Sequence, residues 1–167
     1  SDGLLALAKN DHVGLMQSAT SLQDIVAHAM TQVIPQATKK RITVEDVVAN
    51  INVFGNRPAL EQVVVILLDN AIKYSADKKQ VRLETRRRGK FIYLDVIDQG
   101  IGIRASDIPY LFRRFYRADN SRSGGEQTGY GLGLAIAQRI MHNHGSGIGV
   151  ASKLGEGSRF TIKLTVV

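Results

Sequence analysis

The chain has no cysteine. That excludes disulfides, thiolate metal sites and cysteine nucleophiles, and it fits a reducing compartment. No uncharged run approaches the roughly 18 residues that cross a bilayer, and no signal-peptide pattern opens the chain. Internal repeats and low-complexity segments are absent. No Gly-Lys-Ser/Thr follows a glycine-rich stretch, which excludes a P-loop. What is present is a 44% apolar fraction in 167 residues, enough core for one domain with a short appendage. Leu4, Leu5, Leu7 and Ala8, followed by the break Asn10-Asp11-His12-Val13-Gly14, read as the end of a helix that starts before Ser1, so the sequence reads as a fragment.

The formal net charge is +7. Nucleic acid, a membrane surface and an anionic small molecule are the classes such a charge admits. Much of the excess sits in Arg86-Arg87-Arg88-Gly89-Lys90, which reads as a turn between two strands. No nucleic-acid motif or aromatic interleaving accompanies it, so a nucleic-acid partner is not expected. Lys39-Lys40-Arg41 reads as a solvated loop.

Ser21 is a candidate N-cap for a helix carrying Leu22, Ile25, Val26, Ala29 and Val33 at helical spacing, with Pro35 as its limit. Strand-like Ile42-Thr43-Val44 and Ile51-Asn52-Val53-Phe54 follow. Gly55-Asn56-Arg57-Pro58 then opens a helix whose stripe is Leu60, Val63, Val64, Leu67, Leu68, Ala71 and Ile72. Residues 81–85 and 91–97 read as a hairpin with a rather long loop, and 108–115 as a helical piece. Polar, glycine-containing residues between Arg117 and Gly129 read as a mobile loop. A last helix to about His142 and strands near 148–152 and 159–166 close the chain. This order predicts an α/β (α+β) two-layer sandwich with a mixed sheet and helices on one face, not a doubly wound sheet.

Three short patterns carry chemistry. Asn70, Lys73 and Tyr74 share a helix face with Ile66, where a buried Leu/Val helix has no need of polar groups. An amide oxygen suits Mg²⁺, an ammonium suits phosphate, and a tyrosine ring can flank a base. The plainer alternative is a cap and a solvated lysine. Asp98-Gln99-Gly100-Ile101-Gly102 puts a carboxylate at a strand end beside glycines that let a flat ligand approach, or is simply an Asx-type turn. Gly129-Tyr130-Gly131-Leu132-Gly133 opens onto a helix N-terminus, where free N–H groups attract phosphate, or is only a flexible helix start.

Together and in this order, the three resemble the N, G1 and G2 boxes of the sensor histidine kinases of two-component systems. Asn70-Ala71-Ile72-Lys73-Tyr74-Ser75 is similar to the N box, Phe112-Arg113-Arg114-Phe115-Tyr116-Arg117 to the F box, and Thr128-Gly129-Tyr130-Gly131-Leu132-Gly133-Leu134-Ala135-Ile136 to the G2 box. His144-Gly145, Ser152 and Gly155-Glu156-Gly157-Ser158-Arg159-Phe160 match the family's closing stretch, so the likeness covers residues 42–167. It implies the Bergerat ATP-binding fold, with residues 1–20 as a remnant of the second dimerisation helix and linker and 21–167 as the catalytic domain. It also implies roles. Asp98 accepts from the adenine amine, beside Gly100 and Gly102, and Tyr74 packs on the adenine. Asn70 binds Mg²⁺, while Lys73 and Arg117 reach phosphate oxygens. The backbone of Gly129, Gly131, Leu132 and Gly133 wraps the phosphates, and residues 118–128 form a lid. The cofactors implied are ATP and Mg²⁺. The partners implied are a dimerisation and phosphoacceptor domain of the same parent and a response regulator. The expected fragment is cytoplasmic and monomeric, and a membrane-bound parent sensor, its input domain upstream, is compatible.

Two departures from the pattern matter. Ile66 stands where hydrolysing relatives place a glutamate general base, which argues against an ATPase and leaves a kinase acting on imidazole. None of His12, His28, His142 and His144 is followed by the acidic-basic-Thr/Ser-Pro pattern of a phosphoacceptor, so the chain alone is not expected to autophosphorylate. His142 and His144 lack the further ligands a zinc site needs. A Bergerat-fold ATPase or serine kinase, a degenerate nucleotide-binding domain and a basic nucleic-acid binder are the alternatives.

Overall fold

Ser21 caps the first helix as its pattern predicts: its hydroxyl accepts the Asp24 amide at 3.2 Å. The helix Leu22–Lys39 (α1) buries Leu22, Ile25, Val26, Ala29, Val33 and Ala37. Pro35 does not end it. The proline lies on the exposed side, where the carbonyl it leaves unbonded can reach water, while Val33 and Ala37 hold the helix to the core on either side.

The end of α1 is a Schellman turn. The Arg41 amide reaches Thr38 O at 3.0 Å, the Ile42 amide reaches Ala37 O at 2.8 Å, and Arg41 takes φ +55°, the left-handed conformation that usually falls to glycine. Arg41→Gly should therefore raise stability by about 1 kcal/mol in urea denaturation. A loss instead would mean that the arginine side chain offsets its own backbone strain.

A computed structural model describes residues 16–116 and 131–167. Ser18–Ser21 (β1) precedes α1. After it come Thr43–Val47 (β2), Asn52–Gly55 (β3), Arg57–Tyr74 (α2), Gln80–Arg88 (β4) and Phe91–Asp98 (β5). Gly133–Asn143 (α3), Ile148–Lys153 (β6) and Gly157–Val166 (β7) complete the order. The sheet runs β1-β3-β7-β5-β4-β2, with β6 also on β7. Among the described strands only β2 and β4 pair in parallel, so the sheet is mixed as expected. Val53, Val81, Leu83, Ile92, Leu94, Val96, Phe160 and Ile162 form its inner face and join the buried stripes of the three described α-helices in one core. Among the described residues no helix is long and apolar enough to cross a membrane.

Two further expectations change. The arginine run belongs to β4, leaving only Gly89-Lys90 as the turn, with Gly89 at φ +58°. The strand extends because Asp95, fully buried on β5, is held by Arg86 at 2.9 and 3.3 Å. The helical piece expected at 108–115 is a single 3-10 turn, Ile108–Tyr110, and Phe115 beyond it has φ +64°, which no helix accommodates. The sheet begins at Ser18. Its first strand covers the edge of β3 that would otherwise lie open.

Candidate functional site

Helix α2 carries the first pattern. Asn56 caps it, accepting the Ala59 amide at 3.0 Å, and Pro58 sits in its first turn. His144 locks the same end: its Nε2 accepts the Asn56 amide at 2.9 Å and its Nδ1 pairs with Ile140 O at 2.8 Å. The Nδ1 bond stays within the end of α3 and the Nε2 bond joins α3 to α2, so both ring nitrogens have structural partners.

At its other end α2 meets the glycine turn after β5. Ser75 forms an isolated bridge with Gly100, and the Ile101 amide donates to Tyr74 O at 3.2 Å. A methyl group on Gly100 would fall 2.6 Å from Tyr74 O, so the glycine is required by the approach of the two chains. Gly102 has φ +74° and lies against the backbone of Lys153 and Leu154. The turn is thereby held between α2 and the β6–β7 connection, where the Gly155 amide donates to Ile101 O at 2.7 Å.

Asp98 ends β5 and is buried. Its Oδ1 accepts the amides of Gly100 at 2.8 Å and Ser158 at 3.1 Å. Among the described residues no donor meets Oδ2, which leaves one carboxylate oxygen for a ligand. Burial pushes the Asp98 carboxyl above the ordinary carboxylate value, against the opposing pull of the two amides. The first bond is the Asx turn that the sequence left open. The second comes from a residue 60 positions away that received no role from sequence.

The third pattern meets α2 one turn before Asn70. A methyl group on Gly133, the first residue of α3, would sit 3.4 Å from Ile66 Cγ2. Leu132 is buried and Gly131 has φ +69°, with Gly131 O accepting the Phe115 amide at 3.0 Å. Among the described residues no side chain caps α3, so the N–H groups of its first turn keep their capacity to bind an anion. Ile66, Asn70 and Tyr74 recur every four residues on one helix face. Asn70 therefore sits about 6 Å along the axis from each neighbour, between the two glycine segments. Its amide makes no hydrogen bond to a described residue. Lys73 Nζ lies 2.8 Å from Asp69 Oδ2, one turn back, so a phosphate there would compete with a carboxylate.

The structure thus gathers Asn70, Lys73, Tyr74, Asp98, Gly100, Gly102, Gly131, Leu132 and Gly133 around α2. Arg117, Gly129, residues 118–128 and His12 lie outside the described residues.

Residues 55–167 match the family of histidine kinase-, DNA gyrase B- and HSP90-like ATPases. Sensor histidine kinase YkoH of Bacillus subtilis is 39% identical over 163 residues, 97% of this chain and 35% of that protein. Signal transduction histidine-protein kinase ArlS of Staphylococcus epidermidis is 40% identical over 112 residues, 67% of this chain and 24% of that protein. The chain therefore spans about a third or less of these relatives' length. Among solved structures, a mycobacterial sensor histidine kinase, MprB, superposes with TM-score 0.78 at 24% identity, covering 90% of this chain and 98% of that one. Full-length ShkA in complex with AMPPNP gives 0.83 at 22% identity over 99% of this chain and 35% of that one. These two likenesses speak for the fold. Fold, motifs and family match agree: the chain belongs to the histidine kinase-, DNA gyrase B- and HSP90-like ATPases.

Proposed function

We propose that the domain binds Mg·ATP across the face of α2 and transfers the γ-phosphoryl group to a histidine on a dimerisation domain of its parent protein. The placement of Asn70 between the two glycine segments carries this reading, because a triphosphate running from Asp98 to the start of α3 must pass it. Asp98 Oδ2 takes the adenine amine. Tyr74 borders the base. Lys73 and Arg117 meet phosphate oxygens, and the Gly129, Gly131, Leu132 and Gly133 backbone follows the phosphates. In the transfer the bond from the γ-phosphorus to the ADP oxygen breaks and one to an imidazole nitrogen forms, so the protein's task is position and charge. Magnesium neutralises phosphate charge when bound. Among the described residues no three His, Cys, Asp or Glu gather as a cation site, so Asn70 would hold the ion jointly with the phosphates.

Ile66 supports transfer over hydrolysis. It packs against the core and Gly133, and it offers no base for water. A response regulator is the downstream partner this reading requires. Calorimetric titration with a non-hydrolysable ATP analogue should show binding that magnesium strengthens. With labelled ATP the chain alone should incorporate no phosphate, and label should appear on an added acceptor-helix domain. Absence of binding would leave a degenerate interaction domain as the better account.

A further inference from the structure

The last carbonyls of α2 have no helical partners, and the chain leaves the helix at Ser75 in an extended conformation rather than through a glycine turn. Each still finds a donor. Ala71 O accepts the Ser75 hydroxyl at 2.7 Å, and Tyr74 O accepts the Ile101 amide at 3.2 Å. Ile72 O, Lys73 O and Ser75 O all accept from one group, the Lys40 ammonium, at 2.8, 3.1 and 2.6 Å. An ammonium has three protons, and all three are used. Lys40 also accepts the Lys78 amide at its own carbonyl, at 3.0 Å. The residue that read as part of a solvated loop therefore grips the segment after α2 from both sides. The Schellman turn at Arg41 fixes the direction from which it reaches.

We propose that Lys40 is a positioning residue for the nucleotide site. It holds the carbonyls on either side of Tyr74, which aims Tyr74 O at the Ile101 amide and sets Asn70, Lys73 and Tyr74 against the turn that carries Asp98. Its positive charge at the negative end of the helix dipole strengthens the grip. Without it the freed carbonyls turn towards water, and the link between α2 and the glycine turn loosens. The inference rests on the nucleotide-site reading above.

Lys40→Met keeps the stem and removes the donors, and Lys40→Arg keeps donors and charge. Titration with the non-hydrolysable ATP analogue should show affinity about tenfold weaker in Lys40→Met and within about threefold of wild type in Lys40→Arg. Amide hydrogen exchange on the nucleotide-free proteins should be about tenfold faster at Ile101 in Lys40→Met, with Leu94 in the core unchanged. A Lys40→Met protein that binds as tightly as wild type, or that keeps full protection at Ile101, overturns the proposal and leaves the nucleotide reading intact. Acceleration spread evenly over the core also overturns it, since that is loss of global stability. A wild type that does not bind the analogue sinks the nucleotide reading itself, and the positioning role with it.

Discussion

Asp98→Asn should weaken ATP binding by about a hundredfold while leaving the fold as stable as before, or more so. The two effects have opposite signs for one reason. Asp98 is a buried carboxylate with two amide donors on Oδ1 and no donor from a described residue on Oδ2. In the free protein its ionised form is under-solvated, and burial raises its pKa. The protonated form is thus favoured by folding. Asp98 contributes stability that is fully present below the unfolded pKa and is lost as pH rises through the raised folded value. At neutral pH the ionised carboxylate opposes folding. Asparagine can keep a carbonyl oxygen for the amides of Gly100 and Ser158 without a charge, so the Tm should hold or rise, on the order of 2–4 °C. Ligand binding has the reverse dependence, because the charged oxygen is what an exocyclic amine seeks. Affinity for the analogue in wild type should fall as pH drops, starting above the ordinary carboxylate value, and Asp98→Asn should lack that fall. A variant that loses Tm together with affinity would show that Asp98 is mainly a structural brace. A variant that binds normally would remove it from the site.

Asp98 also shows where the sequence is legible. A carboxylate at the end of an apolar strand, followed by spaced glycines, is a local pattern, and the structure gives it the local Asx turn. The core stripes of α1 and α2, the Ser21 cap and the order of β2 to β7 are local in the same sense, because each follows from spacing within a few turns or from one capping group. The unread part of the site depends on approach between distant segments. Ser158 reaches Asp98 across 60 positions, and Lys40 reaches Ile72, Lys73 and Ser75 across 32, 33 and 35. Nothing in Lys39-Lys40-Arg41 distinguishes a half-buried cap from a solvated charge until the left-handed turn at Arg41 sets its direction. The arginine run failed as a turn for a similar reason. Its strand is prolonged by Asp95 on the next strand, and a buried acid binding an arginine outweighs the turn-like look of a charged run. Pro35 was overruled by burial on both sides of it, as tertiary contacts overrule propensity elsewhere.

Two glycines with similar backbone angles should respond to alanine very differently. Gly102 at φ +74° and Gly89 at φ +58° both sit in the left-handed region, so each alanine variant carries a backbone penalty of about 1 kcal/mol. A methyl group on Gly89 would meet nothing within 4 Å, and its variant should lose little more than that. A methyl at Gly102 would fall 2.1 Å from Lys153 O and 2.9 Å from Leu154 Cα, and backbone cannot rotate aside as a side chain can. Gly102→Ala must therefore open the contact between the glycine turn and the β6–β7 connection, for a total loss of about 3 kcal/mol or more in denaturant unfolding. The same opening separates Gly155 from Ile101 O and shifts the turn that fixes Asp98, so nucleotide affinity should fall by at least tenfold below the unfolding midpoint, while Gly89→Ala binds as wild type does. Equal losses in the two variants would mean that φ alone sets their effect. A Gly102→Ala protein that is destabilised yet binds normally would show that the clamp on this turn serves the fold and not the site.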